Sequence, residues 1–282
     1  MECNCHITTH NISHIHWIVE NNKIWLDENN AISVRHWVTM LQQSGAKVVL
    51  KDKLDPPPEG SGLSQDTFVL CIQTEFQRDH FQELGSNFLS INATHNTTQY
   101  AGVQLFTLIV RDQWGHGTLC GTFPFMDTYS APGVPVVWML SSNSMEATIK
   151  FFLNFFKIYS LEITPKITMS DHDQAQMNAI KAIYLDTTLL LCWWHVLHAM
   201  QVHFCMEESL EPWECVQEWV KASNQAWFDS LWEWIQTNLL VPQSFVDYLQ
   251  SNWMGIVLLW AGISRQHWKI FQEGDTDMLI EA

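Results

Sequence analysis

Along this chain the spacing of apolar residues switches from helical to extended and back. Ile32, Val34, Trp37, Val38 and Leu41 recur at roughly helical spacing, and Gly45 is a suitable stop, so residues 1–50 read as a helical lead-in. Lys51 to Gly62 contains three prolines and two glycines, which can continue neither a helix nor a sheet ladder, and marks an exposed connector. Thr67 to Thr74 is a strand-like apolar run. Phe88 to Ile91, Gln104 to Val110 and Val134 to Leu140 are short β-rich runs, the first two separated by the turn-forming stretch Asn92 to Thr98. Thr148 to Tyr159 is apolar at helical spacing, with Ser144 a candidate N-cap and Glu146 close behind it. Ile167 to Ser170 is a very short strand ending at Asp171. Gln174 to Ile183 then reads as a helix, Thr187 to Leu191 as a strand and Trp194 to Met206 as another helix.

Three strands of antiparallel type, a helix, then strand, helix, strand, helix predict an α/β domain: a mixed sheet with helices on its faces. From Pro212 onward the pattern is all helical. Val216, Val220, Trp227, Leu231 and Ile235 step mostly by four and predict one apolar helical face. The eight Trp between Trp213 and Trp268 fit either an aromatic helical core or a stacking platform for nucleic-acid bases. Residues 118–132 are apolar without clear period, and fit either an extra loop or an insertion foreign to the fold. There is no repeat at a fixed period.

Composition narrows the class. In 282 residues, 14 Lys and Arg stand against 30 Asp and Glu, a formal charge of −16. Hydrophobic residues make up 47 % of the chain and charged ones 16 %, which excludes a disordered polyelectrolyte. The acidic balance excludes a protein that coats DNA through bulk basic charge. The N-terminus has no basic stretch followed by an apolar run. The longest apolar run, Trp253 to Ile263, is eleven residues against the roughly 20 that span a bilayer, so no membrane partner is expected. Seven cysteines, an odd number scattered over the chain, fit reduced thiols in a cytosolic or nuclear protein. The Asn-x-Thr patterns at Asn92 and Asn96 have no signal peptide behind them.

Two groups of residues could carry chemistry. Asp171-His172-Asp173 follows directly on a strand, where carboxylates are well placed to hold Mg²⁺ or Mn²⁺. On spacing alone the simpler reading is an N-cap, with Asp171 or Asp173 capping the helix starting near Gln174. Cys192-Trp-Trp-His195 is a C-x2-H pair at a strand-to-helix junction, but no second pair exists at zinc-site spacing, so a buried thiol beside a hydrogen-bonded histidine is the simpler reading. Cys3, Cys5 and His6 form a further metal-like cluster in what reads as a tail. No glycine-rich phosphate loop or G-x-S-x-G elbow occurs.

Taken in order, FLSINATHNTTQY (88–100), LFTLIVRDQWGHG (105–117), VPVVWMLSSN (134–143), ITMSDHDQAQMNAI (167–180), LLLCWWHVLHAM (189–200) and DTDMLIEA (275–282) resemble the transposase domain of Mutator-like elements, in a form frequent in fungal genomes. The resemblance covers about residues 47–282, and the combination of T-H-N-T, S-D before a helix and C-x-W-H is far more specific than any one of them. It implies a ribonuclease-H-like mixed five-stranded sheet flanked by helices, with an all-helical insertion towards the C-terminus. The expected division is 1–62 for lead-in and connector, 63–210 for the core, and 211–282 for the insertion and the start of the last catalytic helix. It also implies a D-D-E triad holding two divalent ions, Mg²⁺ or Mn²⁺, that activate the attacking oxygen and stabilise the leaving one. By resemblance the second acid falls on Asp171 and the third on Glu281. His195 and Cys192 lie near the site, and His95 belongs to the T-H-N-T segment. The implied partner is DNA at the transposon ends, in the nucleus, with an oligomer possible.

At the first acidic position this chain reads Asn92, which offers a carbonyl oxygen and no charge. It also stops at Ala282, one residue after Glu281. These departures imply a transposase domain by descent that is inactive in this form. The alternative is a domesticated, non-catalytic module that associates with DNA or protein. Asn92, Asp171 and His195 are expected together at one edge of the sheet, with the Asn92 and Asp171 Cα atoms within about 10 Å.

Overall fold

A computed structural model describes residues 25–95, 98, 100–111, 134–204 and 211–266. Extended runs rich in Val, Ile, Leu and Phe become strands β1 (Lys47–Lys51), β2 (Val69–Gln73), β3 (Phe88–Thr94), β4 (Gln104–Val110), β5 (Val134–Ser141), β6 (Ile167–Ser170) and β7 (Thr188–Leu191). Among the described residues these make one sheet in the order β1-β2-β5-β4-β3-β6-β7. The first five run antiparallel to their neighbours, whereas β3, β6 and β7 are mutually parallel.

Parallel neighbours need crossovers. Helix α3 (Glu146–Tyr159) links β5 to β6, and α4 (Gln174–Ile183) links β6 to β7. The two helices pack on the same side. Ile149, Phe152 and Phe156 of α3 and Met177 and Ile180 of α4 share a core with Leu89, Ile91 and Leu108 of the sheet. Phe152 and Phe156 are wholly buried, each contributing roughly 1.5–3 kcal/mol of transfer energy. The other face carries a smaller cluster of Phe88, Ile167, Met169, Leu190 and Cys192, with Trp194 packed against it. Alternation along β3 therefore sends Leu89 and Ile91 into the large core and Phe88, Ser90 and Asn92 to the opposite face.

At the amino-terminal side, α1 (Asn30–Gln43) is capped by the Asn29 side chain, which accepts from the backbone N–H of Ala31 and Ile32. Gly45, at φ +89°, turns the chain into β1. Helix α2 (Glu75–Leu84) begins with a capping box between Thr74 and Gln77. After β7 the chain is helical: α5 (Trp193–Val202), α6 (Glu211–Lys221), α7 (Gln225–Thr237), α8 (Gln243–Asn252) and the single turn α9 (Val257–Trp260). No helix among the described residues is long and apolar enough to cross a membrane.

Several expectations change. The expected five-stranded sheet has seven strands among the described residues, because β2 adds to β5 and residues 47–51, placed in the lead-in, add in turn as an edge strand on β2. Their apolar centre is bracketed by Lys47 and Lys51, and Lys51 is buried with its ammonium donating to the Gln65 carbonyl. Met145, not Ser144, caps α3, without a side-chain bond. Asn143 instead accepts from the Met145 N–H and the Thr148 hydroxyl. The single apolar face from Val216 to Ile235 is two helices, broken where Asn224 caps α7, and Trp227 is exposed. Helix α5 ends at Val202 rather than Met206. Trp219, Trp253 and Trp260 are fully buried and packed together, so these Trp form a core, not a stacking platform. The segment 118–132 and the Cys3, Cys5 and His6 cluster lie outside the described residues.

Candidate functional site at the carboxyl ends of the parallel strands

The three parallel strands end side by side. Ser90 of β3 is in register with Met169 of β6, and Ser170 of β6 with Leu191 of β7. Two residues beyond Ser90 lies Asn92, and two beyond Met169 lies Asp171, so both fall at one register level and on one face. Neighbouring strands lie about 4.8 Å apart. Cys192, which follows Leu191, continues the row, and its N–H donates to the Ser170 carbonyl at 3.0 Å.

The carboxylates after β6 have separate roles. Asp173 is the N-cap of α4 and accepts from the Gln176 N–H at 2.7 Å, which accounts for one half of the D-H-D pattern. Asp171 does not cap the helix. Its Oδ1 lies 2.8 Å from Nδ1 of His195, on the first turn of α5. Both side chains are about three-quarters buried or more, at 21 % and 24 % exposed. Burial of the imidazole works against its charge, but the Asp171 carboxylate and Cys192 beside it outweigh that, and the pKa of His195 is pushed up to about 10. At neutral pH the pair is therefore an imidazolium facing a carboxylate. His172 goes the other way: burial lowers its pKa, partly offset by Asp173, and its ring packs 4.8 Å from that of Trp253.

Asn92 is 7 % exposed, paired across the sheet with Thr107 of β4, and its Oδ1 has no hydrogen-bond partner among the described residues. Burial in a strand also keeps this Asn-x-Thr from acting as a glycan acceptor in the folded chain. His95 is exposed, one residue past β3. Glu281 lies outside the described residues.

The donor set can be compared with what two divalent cations require. A two-metal centre neutralises its charge with several carboxylates arranged around the ions. Here Asn92 is neutral, and the single charge of Asp171 is already offset by His195. Among the described residues no group of three or more His, Cys, Asp or Glu side chains comes together in a metal-holding arrangement. The described residues therefore do not fit a pair of Mg²⁺ or Mn²⁺ ions. The buried guanidinium of Arg111 lies 5.0 Å over the Phe88 ring, four residues and roughly 13 Å along β3 from Asn92.

Sequence reasoning missed Thr107 and Trp253 as neighbours of the site. Thr107 stands out as a polar residue in the apolar run of β4, whereas nothing local marks Trp253.

Residues 61–190, from the end of the connector to β7, match the family described as the RNaseH-like domain of zinc finger SWIM domain-containing protein 1/3. No curated protein matches the chain. The strand order, the two crossovers on one face and this match make the fold ribonuclease-H-like.

Proposed function

We propose that this ribonuclease-H-like chain is a transposase domain of the Mutator-like type by descent, in which the centre for cutting DNA no longer assembles. The observation that carries the reading is the pairing of positions: Asn92 stands two residues beyond Ser90, and Asp171 two beyond its register partner Met169, where in this reading two acids would flank a shared metal, and His195 supplies the positive charge that Asp171 faces. A neutral amide and an imidazolium–carboxylate pair can orient a polar ligand or stabilise the fold. They supply neither a metal-activated water nor a clamp on a leaving oxygen. The partner in this reading is DNA in the nucleus, held without strand cleavage.

The test is reversal of the first position. Full-length wild type and Asn92→Asp are incubated with supercoiled and oligonucleotide DNA in Mn²⁺, and nicking and binding are scored separately. Nicking by Asn92→Asp and none by wild type supports descent from a cutting enzyme with a single decisive loss. Nicking by wild type overturns the inactive reading. A folded Asn92→Asp that binds no DNA and cuts none removes the support for transposase descent.

A further inference from the structure

We propose that Trp253, Trp260 and Arg265, all in the helical region after β7, are positioning residues that hold the Asp171–His195 pair together. The inference rests on reading these two residues as the site, and not on whether that site cuts DNA.

The pair spans two strand-to-helix junctions, and the sheet does not fix one against the other. The β6–β7 ladder ends at Ser170 and Leu191, and the next backbone link is the Cys192 N–H to the Ser170 carbonyl at 3.0 Å. Beyond it Asp171 leads into α4 and His195 sits in the first turn of α5, so their separation depends on what grips each junction.

Both junctions are gripped by the same body. At the first, His172, next to Asp171, lies 4.8 Å from Trp253, whose side chain is 1 % exposed. At the second, Trp193, next to Cys192, donates its indole N–H to the Trp260 carbonyl. The Arg265 guanidinium lies 4.4 Å over the Trp193 ring and donates to the carbonyl of Leu191, the last residue of β7. The two grips are themselves joined, because the Trp260 indole donates to the Trp253 carbonyl at 2.9 Å and the two rings meet edge to face. A continuous chain thus runs from His172 through Trp253 and Trp260 to Trp193, bracketing the site from outside the sheet.

The contact at Trp193 gives a direct readout, since Cys192 precedes it at the base of α5. Cys71, fully buried in β2, is the internal reference for general loosening of the core. Full-length wild type, Trp253→Ala, Trp253→Phe and Arg265→Gln are alkylated with iodoacetamide under native conditions, and the Cys192 and Cys71 peptides are quantified by mass spectrometry. Trp253→Ala and Arg265→Gln are expected to raise Cys192 labelling by about tenfold or more at unchanged Cys71, as local opening does. Trp253→Phe, which keeps a ring against His172, is expected to stay near wild type. Wild-type protection of Cys192 in both Trp253→Ala and Arg265→Gln overturns the proposal. So does Cys71 rising in step with Cys192, which marks a global role. Failure of Asn92→Asp to cut DNA leaves these outcomes unaffected.

Discussion

His195 and Asp171 meet 2.8 Å apart, Nδ1 to Oδ1, across the ends of two adjacent parallel strands. The contact sets a cation against Asp171 just past the carboxyl ends of the parallel strands. It is only partly shielded, so it lies between an exposed pair, worth about 0–1 kcal/mol, and a buried one, whose disruption costs roughly 3–5 kcal/mol. His195→Ala is therefore expected to lower unfolding free energy at pH 7 by about 1–3 kcal/mol. Asp171→Asn should cost a similar amount, and the double variant less than the sum. Urea melts of the four proteins form the cycle, and full additivity would show that the two side chains do not interact.

The pH profile of stability should carry two limbs of opposite origin. The pKa of His195 in the folded chain, about 10, is above its unfolded value near 6.5, so the folded state binds the extra proton between them. Its contribution is fully present below pH 6.5 and is lost as pH rises towards 10. His172 has a folded pKa below 6.5, so its contribution is present above 6.5 and is lost as pH falls. Stability measured from pH 5 to 10 should fall at the alkaline end in wild type and much less in His195→Ala. An alkaline limb unchanged by His195→Ala would assign it to other groups.

What the sequence makes legible depends on whether the information is local. The helix over 174–183 and the strands at 104–110 and 167–170 were read closely, because each buries a regular stripe and ends on a polar or turn residue. β1 was not, since its two lysines disguise an apolar triplet and Lys51 is buried only by virtue of a carbonyl on a distant loop. The D-H-D pattern left two roles open. The structure divides them, with Asp173 as cap and Asp171 facing His195. The expectation that Asn92 and Asp171 stand together rests on family resemblance, because the register of β3 against β6 pairs residues about 80 positions apart in sequence, which no local pattern reveals. The grip of Trp253 on His172 was invisible for the same reason: an aromatic stripe announces burial and not its partner.

Helix α2 offers a local test of the amino-terminal half. Thr74 accepts from the Gln77 N–H, and the Gln77 side chain accepts from the Thr74 N–H at 2.8 Å, closing both orphan donors. Thr74→Ala removes one arm and should cost about 1 kcal/mol in a chemical melt. Because the box lies at the β2 end of the sheet, Cys192 labelling should not change. A loss of less than a few tenths would mean that water replaces the hydroxyl without penalty.

Gly262 tests how closely the helical region is packed on itself. A Cβ there would lie 2.6 Å from the Lys221 carbonyl oxygen and 2.7 Å from that of Ala222, both backbone atoms at the end of α6. Backbone cannot step aside as a side chain can, so Gly262→Ala should destabilise by about 1–3 kcal/mol. The strain falls two residues from Trp260, so Cys192 should become easier to alkylate in this variant than in Thr74→Ala. Equal labelling in the two would separate this packing from the site.

Asn92→Asp separates the fold's own energetics from any catalysis. The substitution sets a second carboxylate at the level of the first on a strand position that is 7 % exposed, with Thr107 across the ladder and a single imidazolium to share. In chelator at pH 7 a buried anion and a partly shielded one repel, and one of them must take up a proton or be desolvated uncompensated. A cost of roughly 2–4 kcal/mol is expected, shrinking as pH falls and the carboxylates protonate. A divalent cation that binds only the folded form should return stability by RT ln(1 + [L]/Kd), about 2.7 kcal/mol at a hundredfold excess over Kd. Thermal melts of both proteins in Mn²⁺ and in chelator measure this without reference to cleavage. Wild type should melt at the same temperature in the two buffers, while Asn92→Asp should recover in Mn²⁺. An equal Mn²⁺ shift in wild type would show that Asn92 and Asp171 still hold an ion, and that the His195 cation yields to it.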